Sequence, residues 1–161
     1  MVKKIGFTIG KFAPLHKGHQ LLIETALREM DEFYIVIYET DSIEIDLKTR
    51  AKWIKKLYPQ VHILYAYNSP QKYGLDPESV QIQMKYLCSI LKGISVTHFY
   101  NSEPYGEKVA EYLKIKNRTI DRERKQIPIR AKTIRQDYLS NKDFLEQHVL
   151  QDCVAIKKTS Q

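Results

Sequence analysis

The segment Ile5-Gly6-Phe7-Thr8-Ile9-Gly10-Lys11-Phe12-Ala13-Pro14-Leu15-His16-Lys17-Gly18-His19 decides how this chain folds. It opens with an apolar run, turns through a loop stiffened by Pro14, and enters an apolar-periodic helix near Gln20. A strand–loop–helix junction of this kind starts a parallel α/β sheet. It also delivers two imidazoles, His16 and His19, to one face at the start of a helix. Exposed backbone donors and the helix dipole favour an anion there. Each ring can donate a hydrogen bond to a phosphate oxygen, Gly18 leaves the backbone open, and Lys11 adds a point charge. Two histidines at this spacing could also bind a metal, but no cysteine or carboxylate stands nearby in a ligand pattern, so no protein-held metal is expected. Nucleotide chemistry is the first expectation.

Outward from this segment, strand and helix signals alternate. Strands are expected over 3–9, 33–38, 61–67, 95–100 and 118–121, and helices over 17–30, 46–57, 78–91 and 104–113. Two short helices, 130–139 and 142–149, follow. The run Phe33 to Tyr38 is almost wholly apolar, as in a strand covered on both faces. The order βαβαβαβαβαα implies a Rossmann-like, doubly wound, parallel five-stranded α/β sheet with C-terminal helices in a single domain. Its ligands bind at the carboxyl ends of the strands. Residues 1–150 form the expected domain and 151–161 a C-terminal tail, with 157–161 frayed.

The bulk properties narrow the field. The 161 residues suit one domain with a real core. No apolar stretch approaches the roughly 20 residues that span a bilayer, and the first residues carry no secretion signal. Cys88 and Cys153 are far apart, which reads as two reduced thiols in a cytoplasmic protein. The net charge of +7 comes from scattered residues. It suits small polyanions better than nucleic acid.

The loop Gly10-Lys11-Phe12-x-Pro14-x-His16-x-Gly18-His19 resembles the histidine-x-glycine-histidine signature of the nucleotidyltransferase superfamily. It looks most like that of nicotinamide mononucleotide (NMN) adenylyltransferases, as in the adenylyltransferase domain of bifunctional NAD-salvage proteins. Other branches usually carry an acidic residue near the position of Ala13, which this chain does not. The stretch Asn101-Ser102-Glu103-Pro104-Tyr105-Gly106 is similar to a family loop bordering the adenine-nucleotide site. Read without the family, Ser102 is a helix cap and Glu103 a favourable charge at a helix start. Asp121-Arg122-Glu123-Arg124 resembles a family segment in which Asp121 and Arg124 match, although Asp121 alone reads as a turn residue. In Ile129-Arg130-Ala131-Lys132-Thr133-Ile134-Arg135, the residues Ile129, Ile134 and Arg135 match a triphosphate-gripping pattern. Arg130 and Lys132 replace the family's Ser and Thr, exchanging short neutral donors for long cations.

The resemblance implies transfer of AMP from ATP to NMN, giving NAD and pyrophosphate, with Mg²⁺ arriving on ATP. It places His16, His19, Lys11 and Arg135 at the chemistry. ATP falls to Gly10, Phe12, Gly18, Ser102, Glu103, Tyr105, Asp121, Arg124, Ile129, Arg130 and Lys132, and NMN to Ile9, Arg50, Trp53 and Tyr73. Trp53 is equally readable as core, and Tyr73 rests only on its place in a long loop. Two alternatives remain open: transfer to another phosphorylated metabolite, or a nucleotide sensor without chemistry. ATP, NMN and NAD are the expected partners, and a homo-oligomer is left open.

Overall fold

The computed structural model describes residues 2–72 and 74–160. Five parallel strands form one sheet: β1 (Ile5–Gly10), β2 (Glu32–Tyr38), β3 (His62–Ala66), β4 (His98–Asn101) and β5 (Lys116–Thr119). Their spatial order is β3-β2-β1-β4-β5, so the winding reverses between β1 and β4. Crossovers on either side of that reversal lie on opposite faces and leave a crevice at the carboxyl ends of the two strands.

Side-chain alternation explains the layering. From β2, Phe33, Ile35 and Ile37 face one core with α1 (Lys17–Glu29), α2 (Leu47–Leu57), α5 (Ala131–Gln136) and α6 (Gln147–Thr159). Tyr34, Val36 and Tyr38 face the other, with α3 (Pro77–Ile90) and α4 (Gly106–Leu113). The central strand β1 contributes fully buried Phe7 to the second core, where its ring stacks on Phe99. Asp46 and Asp76 cap α2 and α3 by accepting from backbone N–H groups three residues on.

The expected α/β class and strand number stand, with local differences. The fourth strand starts at His98 rather than near residue 95, because the approaching chain turns through Leu91–Val96 before Thr97 pairs with Ile5. Helix α4 begins at Gly106 rather than Pro104, and β5 two residues earlier than expected. The helix after Arg130 ends at Gln136. The stretch 142–149 divides into a 3-10 turn, Lys142–Phe144, and the start of α6, separated by extended Leu145 and Glu146. The expected tail is mostly helix: α6 continues to Thr159 because Val149 and Cys153, four residues apart, are buried on one face.

A two-lobed cleft as candidate active site

The loop after β1 crosses the carboxyl end of the sheet through a cis Ala13–Pro14 peptide. Phe12 takes a left-handed φ of 52° and turns its ring into the core, 4.7 Å from the His19 ring. The two histidines then start α1 as a reciprocal cap. His16 Nδ1 accepts from the Gly18 N–H at 3.0 Å, and His19 Nδ1 accepts from the His16 N–H at 3.2 Å. The rings stack with centroids 3.7 Å apart.

This arrangement sets the proton positions. With both Nδ1 atoms occupied as acceptors, the neutral rings carry their proton on Nε2. Burial, helped by the Arg124 charge, holds His16 down to about 4. Burial, then His16 and Arg124, puts His19 well below its ordinary value. Near neutral pH the pair therefore offers two Nε2–H donors rather than two cations. Gly18 fits tightly here: a Cβ on it would lie 2.8 Å from His16 Cε1 and 3.0 Å from Nδ1. Its missing side chain makes room for an imidazole, a role beyond the expected opening toward phosphate.

Two cavities meet at this pair. The larger, about 580 Å³, is bordered by Ile9, Tyr38, Val80, Met84 and Tyr86, with Lys11 and Arg135 at its rim beside the loop. The smaller, about 420 Å³, is bordered by His16, Ser102, Glu103, Arg124 and Arg130. Ile9, Gly10, Phe12, His19, Tyr105 and Lys132 border both, so His19 stands where the lobes join. The larger lobe sets Tyr38, Met84 and Tyr86, which suit a flat ring, beside the cations Lys11, Lys108, Lys132 and Arg135. The other gathers guanidinium and imidazole donors and suits phosphate.

Several expected residues hold these walls together, and of them Ser102 and Arg135 also line a lobe. Arg50 is 1% exposed. Its Nε donates to the carbonyls of Ile45 (3.0 Å) and Asp46 (3.2 Å), and its Nη1 to those of Lys11 (2.6 Å) and Tyr38 (2.9 Å). The guanidinium thus ties the loop to the end of β2 instead of reaching the expected NMN position. Trp53 is core, with Nε1 donating to Asp152 at 2.7 Å. Ile129 is buried apolar packing. Asp121, at φ 47°, accepts from the backbone N–H groups of Lys125, Gln126 and Ile127, and those bonds hold its carboxyl below the usual range. It builds the turn that presents Arg124. The Ser102 hydroxyl donates to the Ile120 carbonyl at 2.6 Å, joining β4 to β5 rather than capping α4. Arg135 Nη1 donates to the Ala13 carbonyl at 2.6 Å, so it braces the histidine loop while bordering the larger lobe. Tyr73 lies outside the described residues.

Glu39, Gln83 and Lys108 also border the larger lobe and carry no motif. Tyr38 was findable, since it ends β2, where an open parallel sheet places its ligands. Nothing comparable in the sequence points to Gln83 or Lys108, which reach the lobe from helices. Among the described residues no three His, Cys, Asp or Glu side chains converge as a metal-ligand set, and no helix is long and apolar enough to cross a membrane.

Comparison with known proteins agrees with this geometry. The family model for the citrate lyase ligase C-terminal domain matches residues 6–75, the first half of the sheet with the histidine loop. The trifunctional NAD biosynthesis/regulator protein NadR of Salmonella typhimurium is 29% identical over 154 residues, covering 84% of this chain. The chain spans 37% of that relative's length. A NadR structure in complex with NAD and AMP-PNP shares the fold with TM-score 0.61 and 21% identity, over 89% of this chain and 44% of that one. A Vibrio parahaemolyticus protein proposed to be a nicotinate-nucleotide adenylyltransferase shares it at TM-score 0.60 and 17% identity, over 95% of this chain and 99% of its own. On its loop, its sequence relatives and its fold, the chain is similar to adenylyltransferases of NAD biosynthesis.

Proposed function

We propose that this protein transfers AMP from ATP to NMN, giving NAD and pyrophosphate. The observation that carries the proposal is the position of His19 where a lobe walled by Tyr38, Met84 and Tyr86 meets a lobe holding Arg124 and Arg130. An acceptor mononucleotide in the first and a triphosphate tail in the second would bring the two phosphates together at the imidazoles. The ligands named for the NadR structure, NAD and AMP-PNP, are of the class this arrangement would take.

In the proposed step an oxygen of the NMN phosphate forms a bond to the α-phosphorus of ATP. The bond from that phosphorus to the bridging oxygen breaks in line, and the electron pair leaves with pyrophosphate. The acceptor is its own nucleophile, so the protein aligns two polyanions and offsets the gathering charge. The Nε2–H groups of His16 and His19 donate to phosphate oxygens, and Lys11, Lys132 and Arg135 supply positive charge. As a phosphate approaches, its charge favours the protonated imidazole, so binding draws the depressed histidine values back upward. Mg²⁺ in this reading travels on the triphosphate as part of the substrate and neutralises its charge.

A second reading keeps the chemistry and changes the acceptor. It is favoured by the citrate lyase ligase match and by Arg130 and Lys132, which stand where the resembled pattern has Ser and Thr. One assay separates the readings: pyrophosphate release from ATP with NMN, nicotinate mononucleotide, phosphopantetheine or glycerol phosphate. Turnover highest with NMN supports the proposal. Higher turnover with another acceptor replaces it, and ATP binding without release from any of them leaves a nucleotide sensor.

A further inference from the structure

Glu103 is a carboxylate inside a pocket otherwise built for anions. Its Oε1 lies 2.8 Å from Arg124 Nη2 and 3.8 Å from Arg130 Nη1, so one oxygen faces two guanidiniums. Neither arginine is matched in full. Arg124 Nε is buried without a hydrogen-bond partner. Arg124 also sits at a left-handed φ of 54°, on the turn that Asp121 holds together. A residue kept in that conformation and left with an unmet donor is aimed at something Glu103 only partly replaces. The Glu103 side chain is 38% exposed, so its carboxylate can swing to water without disturbing the core.

We propose that Glu103 is a specificity residue: its carboxylate occupies the place of a ligand anion on Arg124 and Arg130, so the smaller lobe admits only a ligand charged enough to displace it, a diphosphate or triphosphate tail. The inference rests on reading that lobe as the polyphosphate half of the cleft. A polyphosphate presents several charged oxygens and can take both arginines with paired hydrogen bonds, which one glutamate oxygen cannot match. A nucleotide monophosphate or the phosphodiester of a dinucleotide carries less charge and leaves Glu103 in place. After transfer, the departing pyrophosphate is the group with which Glu103 competes, so its return assists release.

The test is calorimetric titration of the full chain with inorganic pyrophosphate and with AMP. Compared are the wild type, Glu103→Gln and the double change Glu103→Gln with Arg124→Gln. Glu103→Gln keeps the shape and removes the competing charge. It is expected to tighten pyrophosphate about tenfold, the scale of one charge-assisted contact between partly exposed groups, and AMP by less than about twofold. The second substitution is expected to cancel the gain. Should Glu103→Gln fold poorly, Glu103→Asp, one methylene shorter, is expected to show a smaller tightening of the same sign. Unchanged or weaker pyrophosphate binding in both single variants overturns the proposal, because Glu103 would then be a support for Arg124. Equal tightening of AMP overturns it too, since the effect would be a general field. A chain that shows the expected tightening but releases no pyrophosphate from ATP and NMN retires the proposed reaction and leaves this role standing. No pyrophosphate binding by any form retires both.

Discussion

Replacing Gly18 by alanine adds one methyl group against the His16 ring. The new Cβ would stand 2.8 Å from His16 Cε1 and 3.0 Å from its Nδ1, well inside normal contact. The His16 ring cannot give way easily: it is 4% exposed, stacked on His19 at 3.7 Å, and accepts its hydrogen bond from Gly18 itself. Losing that cap costs about 1 kcal/mol, and crowding a packed site costs about 1–3 kcal/mol. The better helix propensity of alanine returns about 1 kcal/mol. The net loss is about 1–3 kcal/mol, or roughly 3–10 °C in Tm for a domain of this size. Activity is expected to fall further, about a hundredfold, because a displacement near 1 Å at a reacting group has that effect. Melting temperature and pyrophosphate release from ATP with NMN would be measured on the same preparations. The double variant His16→Ala with Gly18→Ala is the control: with the ring gone, the added methyl is expected to raise Tm relative to His16→Ala. Unchanged turnover and Tm in Gly18→Ala, or a further drop in the double variant, would show that this glycine does not make room for the imidazole.

Three other outcomes follow from the same geometry. His19→Ala is expected to lower kcat about 10²–10³-fold, the usual effect of losing one donor to developing charge, with a stability loss near 1 kcal/mol from its cap bond; steady-state kinetics and a thermal melt check both. Because burial holds His16 at about 4 against an ordinary value of 6.5, the unfolded chain binds the proton first as pH falls. The stability tied to neutral His16 is therefore complete above about 6.5 and lost toward 4, on the order of 3 kcal/mol, so His16→Asn should melt with a flatter pH profile across that window. Arg50→Met removes the guanidinium donor from four backbone carbonyls, of which that of Asp46 keeps the backbone N–H of residue 50. We expect a loss of about 3 kcal/mol and weaker binding of both substrates, and a variant that melts with the wild type would contradict the clamp.

The fold was legible because its signals are local. The run Phe33–Tyr38 is short, apolar and rich in aromatic and β-branched residues, which fits a doubly covered strand, and Pro and capping Asp residues mark where helices begin. The histidine loop was legible for the same reason, since its strand, turn and helix start are contiguous. Its second meaning was also present in the spacing, because positions three apart at a helix start are those of a reciprocal cap. For Arg50 and Trp53, sequence position cannot say whether a donor meets a ligand or the protein's own acceptors, which here are four carbonyls and the Asp152 carboxylate. Asp121 could be read locally: it holds a turn, as its residue type alone suggests. The lobe walls contributed by Gln83 and Lys108 depend on where α3 and α4 pack across the sheet, which no local pattern encodes.

Helix α6 acts as an outrigger. The residue before it, Glu146, accepts from the Lys17 ammonium and from Gln20 at 3.2 Å at the head of α1, while Asp152 accepts from Trp53 in α2 at 2.7 Å. A fusion junction or expression boundary drawn at residue 150 would cut this strut after its first turn. Every atom of the cleft would survive such a cut, and so would Glu146, yet Asp152 and its tie to Trp53 would be lost, leaving the contact at the head of α1 to a helix end no longer pinned to α2.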